Sequence, residues 1–166
     1  MNEKQIKLVR AALLLAIALL SQQLRFILPL PKILDTLVIG TLVNATLVLT
    51  AHYTDLFLAA ITTIALPIVA FLQGHLPIPM LIPVVFFGNF IFVIMCYFIR
   101  NKSIILIGPL LKTFTIYGGA LWVLNILKLP QEKISALVLT LSWPQIVTGI
   151  LGIILAGTIE NRLENK

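Results

Sequence analysis

The sequence predicts an all-α integral membrane protein, a bundle of six transmembrane helices with both termini in the cytoplasm. Composition, the length of the apolar runs and the placement of basic residues predict it. Of 166 residues, 60% are hydrophobic and 11% charged, and the mean hydropathy is +1.08. A soluble domain is nearer half apolar and a quarter charged, so this chain cannot wet its own surface. A soluble enzyme, a disordered chain and a nucleic-acid-binding module are excluded on that ground. A membrane helix takes about 20 apolar residues, so six use about 120 and leave only short connections and tails. Residues 1–166 are therefore one transmembrane domain.

The first span covers about 6–28 and ends at Pro29 and Pro31. Lys4, Lys7 and Arg10 precede its apolar core, and with Ala16-Ile17-Ala18 it has the look of a signal peptide. The apolar run continues past that triplet and five more spans follow, so it is read as a retained helix. Ala12 and Ala16, with Ala11 and Ala18 beside them, make a smooth patch near one end. That patch serves either internal packing or the docking of another membrane protein. Gln22, Gln23 and Arg25 lie near the other end and either close a pocket from above or are ordinary interfacial residues.

The second span, 34–52, carries Asn44 and ends in His52 to Asp55. The third, 55–73, ends at Gln73-Gly-His-Leu-Pro-Ile-Pro79, whose His75 is a lone imidazole. The fourth, 80–99, carries Asn89 and Cys96. Cys96 is the only cysteine, which excludes an intramolecular disulfide and a cysteine metal cluster. Asn44, Asn89 and Gln145 each sit roughly 12–17 Å from the same end of their helices at 1.5 Å per residue. Amides both donate and accept, so these three either hold a polar ligand or glue helices together.

The fifth span, 104–127, follows Arg100 to Ser103 and shows a stripe of Lys112, Thr115, Gly119 and Trp122, continued by Asn125. Spacings of three and four put these on one helical face. A lysine at mid-membrane costs about 3 kcal/mol. It either reaches toward the cytoplasm, with Asp55 as a partner, or meets an anionic or carbonyl-bearing ligand. The sixth span, 134–158, follows Lys128 to Lys133 and has Gln145, Gly149, Gly152 and Ala156 at small-residue spacing, a pattern that favours helix packing. Trp143-Pro144-Gln145 interrupts its upper part, and Trp143 either stacks on a ligand or faces lipid.

Runs this long are helices; barrel strands would alternate over about ten residues. Six spans place both termini on one side, with Lys4, Lys7, Arg10, Arg100, Lys102, Arg162 and Lys166. The other side holds Arg25, Lys32, Lys128 and Lys133. The positive-inside rule puts the richer side in the cytoplasm. The chain has no GxxxxGK[ST] loop, no HExxH and no paired mid-membrane carboxylates, so it has no ATP-hydrolysing loop of its own and no enzyme activity is expected.

Several of these residues resemble the substrate-binding S component of energy-coupling factor (ECF) transporters, small six-helix vitamin-uptake proteins. They are Ala12-xxx-Ala16, Gly40-Thr-Leu-Val-Asn44, the Gln73-to-Pro79 string followed by Gly88-Asn89, and Ser142-Trp-Pro-Gln145. The similarity runs over essentially the whole chain. It implies a high-affinity binding subunit of an ABC importer in the bacterial cytoplasmic membrane, with no cofactor and no metal. Substrate would enter an outward cavity formed by the outer loops and the last three helices. The first outer loop and the 73–80 loop would gate it. Ala12 and Ala16 would dock on a coupling transmembrane subunit that works with two ATPase subunits. The substrate-binding residues implied are Gln73, His75, Asn89, Lys112, Trp122, Trp143 and Gln145. No signature assigns thiamin, riboflavin, biotin or folate; Lys112 and the tryptophans favour a ring compound with a carbonyl or acidic group. A non-catalytic scaffold of the MreD cell-shape type has similar length and helix count, and its mid-depth amides would satisfy one another. A self-sufficient carrier should show matched broken helices, which this sequence lacks.

Overall fold

Six α-helices follow one another with short connections, and among the described residues there is no strand. The computed structural model describes residues 2–28 and 30–165, the Lys32 side chain excepted. Pro29, Lys166 and the Lys32 side chain, which entered the span boundaries and charge count above, lie outside the described residues. The helices are α1 (Glu3–Ile27), α2 (Lys32–Tyr53), α3 (Leu56–Leu72), α4 (Ile82–Phe98), α5 (Ile104–Ile126) and α6 (Gln131–Glu164). A 3₁₀ turn, Pro79–Leu81, leads into α4.

Local chemistry sets these ends. Asn2 caps α1 in a capping box: its side chain accepts from the Lys4 amide, and Gln5 Oε1 accepts from the Asn2 amide at 3.0 Å. Asp55 caps α3 by accepting from the Leu58 amide at 2.9 Å. Pro31 and Pro130, both with extended ψ, stand at the N-caps of α2 and α6. At the end of α3, Gly74 takes φ 75°. Its amide bonds Phe71 O and the His75 amide bonds Ala70 O, both at 2.9 Å. This is the two-bond glycine stop of a Schellman motif, and it turns His75 back over the helix end.

Five helices are long and apolar enough to cross a membrane; α3, with 17 residues, is shorter. The sixth helix has 34 residues, roughly 51 Å against a hydrocarbon core of about 30 Å. It outruns the expected 134–158 at both ends, because Thr158 to Glu164 contains no breaker and a helix ends on a breaker rather than on a drop in hydropathy. Pro144 does not interrupt α6 as the sequence suggested. The helix runs through it, losing only the amide that would have served the Thr140 carbonyl.

The surface confirms a lipid-facing protein. Phe57, Leu72, Phe114 and Trp122 are more than two-thirds exposed, a distribution that water would not tolerate across so many large side chains. The interior is the more polar part, with Asn44, Asn89, Lys112 and several threonines buried. Thr41, Thr50, Thr62 and Thr113 satisfy their hydroxyls on their own helices, each donating to the carbonyl four residues back. That local bond is what lets a hydroxyl sit in hydrocarbon. This is the architecture of a multi-pass helical membrane protein.

The most extensive helix pair is α2 with α6, followed by α5 with α6 and α4 with α5. Glycines permit these approaches. A Cβ at Gly152 would lie 2.6 Å from Asn44 Cβ, and one at Gly149 would lie 2.8 Å from Pro109 Cβ. The stripe Gly149, Gly152 and Ala156 is buried and packs helices. One apolar cluster surrounds Leu47, Phe92, Val93 and Ala156. A second joins α4, α5 and α6 through Val84, Val123, Leu124, Ile134 and Val138.

Candidate functional site

A cavity of about 150 Å³ opens at the bundle end that carries the α1–α2, α3–α4 and α5–α6 connections. All six helices contribute to its lining, α2 most heavily through Thr36, Ile39, Gly40, Val43 and Asn44. The resemblance implied a cavity formed by the outer loops and the last three helices, and the lining found includes these together with α1, α2 and α3. Of those helices, α4 and α5 pack closely against each other. A Cβ at Gly119 would meet Val84 at 2.8 Å, and Gly88 lies directly against the Ile116 side chain. The open space therefore falls between α1–α3 on one side and α4–α6 on the other.

The floor of the cavity is a chain of polar groups at mid-bundle. Lys112 Nζ donates to Asn44 Oδ1 at 2.5 Å. Asn44 Nδ2 donates to Thr148 Oγ1 at 2.9 Å, and Thr148 Oγ1 donates to the Pro144 carbonyl at 2.8 Å. Lys112 is 2% exposed, with its ammonium 5.2 Å from the centre of the Phe92 ring. Among the described residues, no carboxylate lines the cavity. Lys112 does not turn toward Asp55, whose carboxylate caps α3. Leu66, Pro67 and Val85 form part of the apolar wall above this floor.

The roof comes from the outer loops. Arg25 Nε lies 2.7 Å from Asp35 Oδ2, tying the end of α1 to the start of α2. Gln22 Nε2 donates to the Leu66 carbonyl at 3.4 Å. His75, presented by the glycine stop, packs on Phe26 with ring centres 5.4 Å apart. Burial, reinforced by the nearby Arg25 guanidinium, holds its imidazole below the ordinary histidine pKa and favours the neutral form. Among the described residues, six atoms of this roof are buried without a hydrogen-bond partner: Gln73 Nε2, Gln73 Oε1, His75 Nε2, Gln22 Oε1, Asp35 Oδ1 and Arg25 Nε, the last met only by its ion pair. Such groups are uncommon in folded proteins, because each costs about 1–3 kcal/mol.

The structure brings five of the seven expected substrate residues, Gln73, His75, Asn89, Lys112 and Gln145, to this one cavity. Neither Trp122 nor Trp143 lines it. Trp122 is 69% exposed. The inward face of α5 runs through Lys112, Ile116, Ala120 and Val123. At roughly 100° per residue Trp122 lies roughly 80° from Lys112 on the side away from Ile116 and Ala120. Spacings of three and four suggested one stripe, but two steps of three against one of four rotate it off the buried face. Asn125 is likewise exposed, its amide donating to the Leu121 carbonyl at 2.7 Å. Trp143 borders an adjoining recess with Ile33, Leu37 and Thr140, which shares Thr36 and Pro144 with the cavity.

Sequence analysis did not single out Thr148 or Asp35, and took Gly40 only as part of the run that carries the resemblance. Thr148 lies one turn below Pro144, a spacing legible in principle. The Arg25–Asp35 pair had a signal too, opposite charges on either side of a proline-bounded turn. In α1, Ala12 and Ala16 are exposed on the outside of the bundle while Ala11 and Ala18 are buried, so internal packing uses the second pair and not the first. Compared with known proteins, the chain matches no family model, no curated protein and no solved structure.

Proposed function

We propose that this protein is the membrane-embedded, non-enzymatic binding subunit of an ECF-type importer, taking up a small vitamin-like ring compound across a bacterial cytoplasmic membrane. In this reading all six helices cross the bilayer, both termini lie in the cytoplasm and the cavity opens outward. The observation that carries it is the roof of buried, unpartnered donors and acceptors on Gln73, His75 and Gln22 above a buried lysine. A purely structural bundle gains nothing from leaving these groups unsatisfied, whereas a ligand with polar edges satisfies them. The exposed Ala12 and Ala16 support docking on a coupling subunit, which two ATPase subunits would drive.

Two experiments test this. Gentle purification from the native host followed by mass spectrometry should find a stoichiometric small molecule. An empty protein with no thermal shift across a vitamin and nucleobase panel would favour the MreD-type scaffold. That second reading draws support from the Lys112–Asn44–Thr148 chain, in which each side chain already has a hydrogen-bond partner. Separately, Ala12→Leu with Ala16→Leu should block cellular uptake while the purified variant binds ligand within about twofold of the parent, a margin of under 0.5 kcal/mol. Lost binding in that double variant would show that the alanines serve the bundle's own packing.

A further inference from the structure

We infer that the ligand of this cavity is a single-ring monocarboxylate, seated with its carboxylate on Lys112 and its ring between the aliphatic walls. The inference rests on reading the cavity as a ligand site and specifies what that site takes.

Charge, size and wall chemistry point the same way. Among the described residues, two cations line the cavity and no acid does. Arg25 is already matched by Asp35 at 2.7 Å, which leaves the Lys112 ammonium, among the described residues, as the one cation of the lining without a carboxylate. Its hydrogen bond goes to a neutral amide, Asn44 Oδ1. An ammonium has three donors, so two remain for a ligand oxygen pair. One unmatched positive charge calls for one negative charge. A phosphate dianion would bring a second charge into a low-dielectric site with nothing to meet it.

The volume of about 150 Å³ is that of a protein cavity able to take up a benzene-sized ring, and below the usual range for larger ligands. Leu66, Pro67 and Val85 supply an apolar wall for such a ring. At the far end, the unpartnered Gln73 amide and His75 Nε2 can meet a ring nitrogen or hydroxyl. The site thus has a charged floor, an apolar middle and a neutral polar roof. The tryptophans, which stand outside the cavity, play no part in holding the ring.

The test compares acids with their uncharged amides on the purified full-length protein. Isothermal titration is run with benzoate and benzamide, and with pyridine-3-carboxylate and pyridine-3-carboxamide. The acid of a pair should bind at least tenfold more tightly than its amide. Lys112→Gln should bring the two within twofold, while Gln73→Ala should weaken both and keep their ratio. If Lys112→Gln does not fold, the parent and Gln73→Ala ratios decide the matter. Amides that bind as tightly as the acids, or a ratio unchanged by Lys112→Gln, would overturn the inference and leave the cavity a ligand site. A co-purifying molecule without a carboxylate has the same consequence. Binding of no probe together with an empty purified protein would overturn the inference and the proposed function alike.

Discussion

Gly152→Ala is expected to destabilise the bundle by about 1–3 kcal/mol, the usual range for an overpacked interior. The new methyl would lie 2.6 Å from Asn44 Cβ, 2.9 Å from the Ala45 amide nitrogen and 3.0 Å from the Asn44 carbonyl carbon. Two of these are backbone atoms, so no side-chain rotation relieves the clash; α2 itself must move from α6. Because the displaced segment carries Asn44, the floor of the cavity moves with it and ligand binding should weaken in parallel. Gly157→Ala is the control. A Cβ there has nothing within 4 Å, so the same chemical change should raise stability by up to about 1 kcal/mol through helix propensity. Thermal unfolding of both variants in detergent reads the difference. Equal shifts of the same sign would mean that the α2–α6 approach does not depend on the missing side chain.

The second large effect lies in the Lys112–Asn44 pair. Asn44→Leu keeps a branched side chain of similar shape but removes the acceptor for a buried ammonium. Leaving a buried group without its hydrogen-bond partner costs about 1–3 kcal/mol, more when it is charged, and this variant should lie at or above the top of that range. Lys112→Met removes the charge and leaves only a neutral amide short of one partner, at about 1–2 kcal/mol. Combining them should restore much of the loss, since replacing both partners by apolar groups is close to neutral. A coupling of about 2 kcal/mol is expected in the double-mutant cycle. Stability and binding should then separate: the double variant folds, yet binds ligand no better than Lys112→Met alone. Additive losses would show that the 2.5 Å contact contributes little to holding the two helices. Retained binding in Lys112→Met would move this chain of polar groups to a purely structural role.

Much of the architecture was legible because the bilayer imposes simple rules. Prolines and polar clusters marked most helix ends to within a few residues, and hydropathy named the lipid-facing runs. The exception was α6, where an amphiphilic tail without a breaker keeps the helix going beyond its apolar part. The candidate site was legible in its residue types but less so in its membership. Asn89, Lys112 and Gln145 announced themselves as polar groups in apolar runs, since hydrocarbon makes any such residue conspicuous. Gln73 and His75 depended on the glycine stop of α3, signalled by Gln73-Gly74-His75. The tryptophans misled because residue type gives no azimuth. Spacings of three and four are shared by a buried face and by a neighbouring stripe rotated toward lipid.

The sequence by itself determined that this chain is helical and crosses a membrane, because too few charges and too many apolar residues leave water no role as its main solvent. It also determined which polar groups would be costly to place. Only the tertiary structure decided who meets whom. Glycines at 88 and 119 draw α4 and α5 together and push the cavity across to α2, and glycine at 152 brings the Asn44 backbone against α6. Asn44 then meets Lys112 and Thr148, residues 68 and 104 positions away in the chain. Local rules cannot specify such pairings, because they depend on how closely whole helices approach. That distance is set by the absence of a side chain on one helix opposite a particular atom of another.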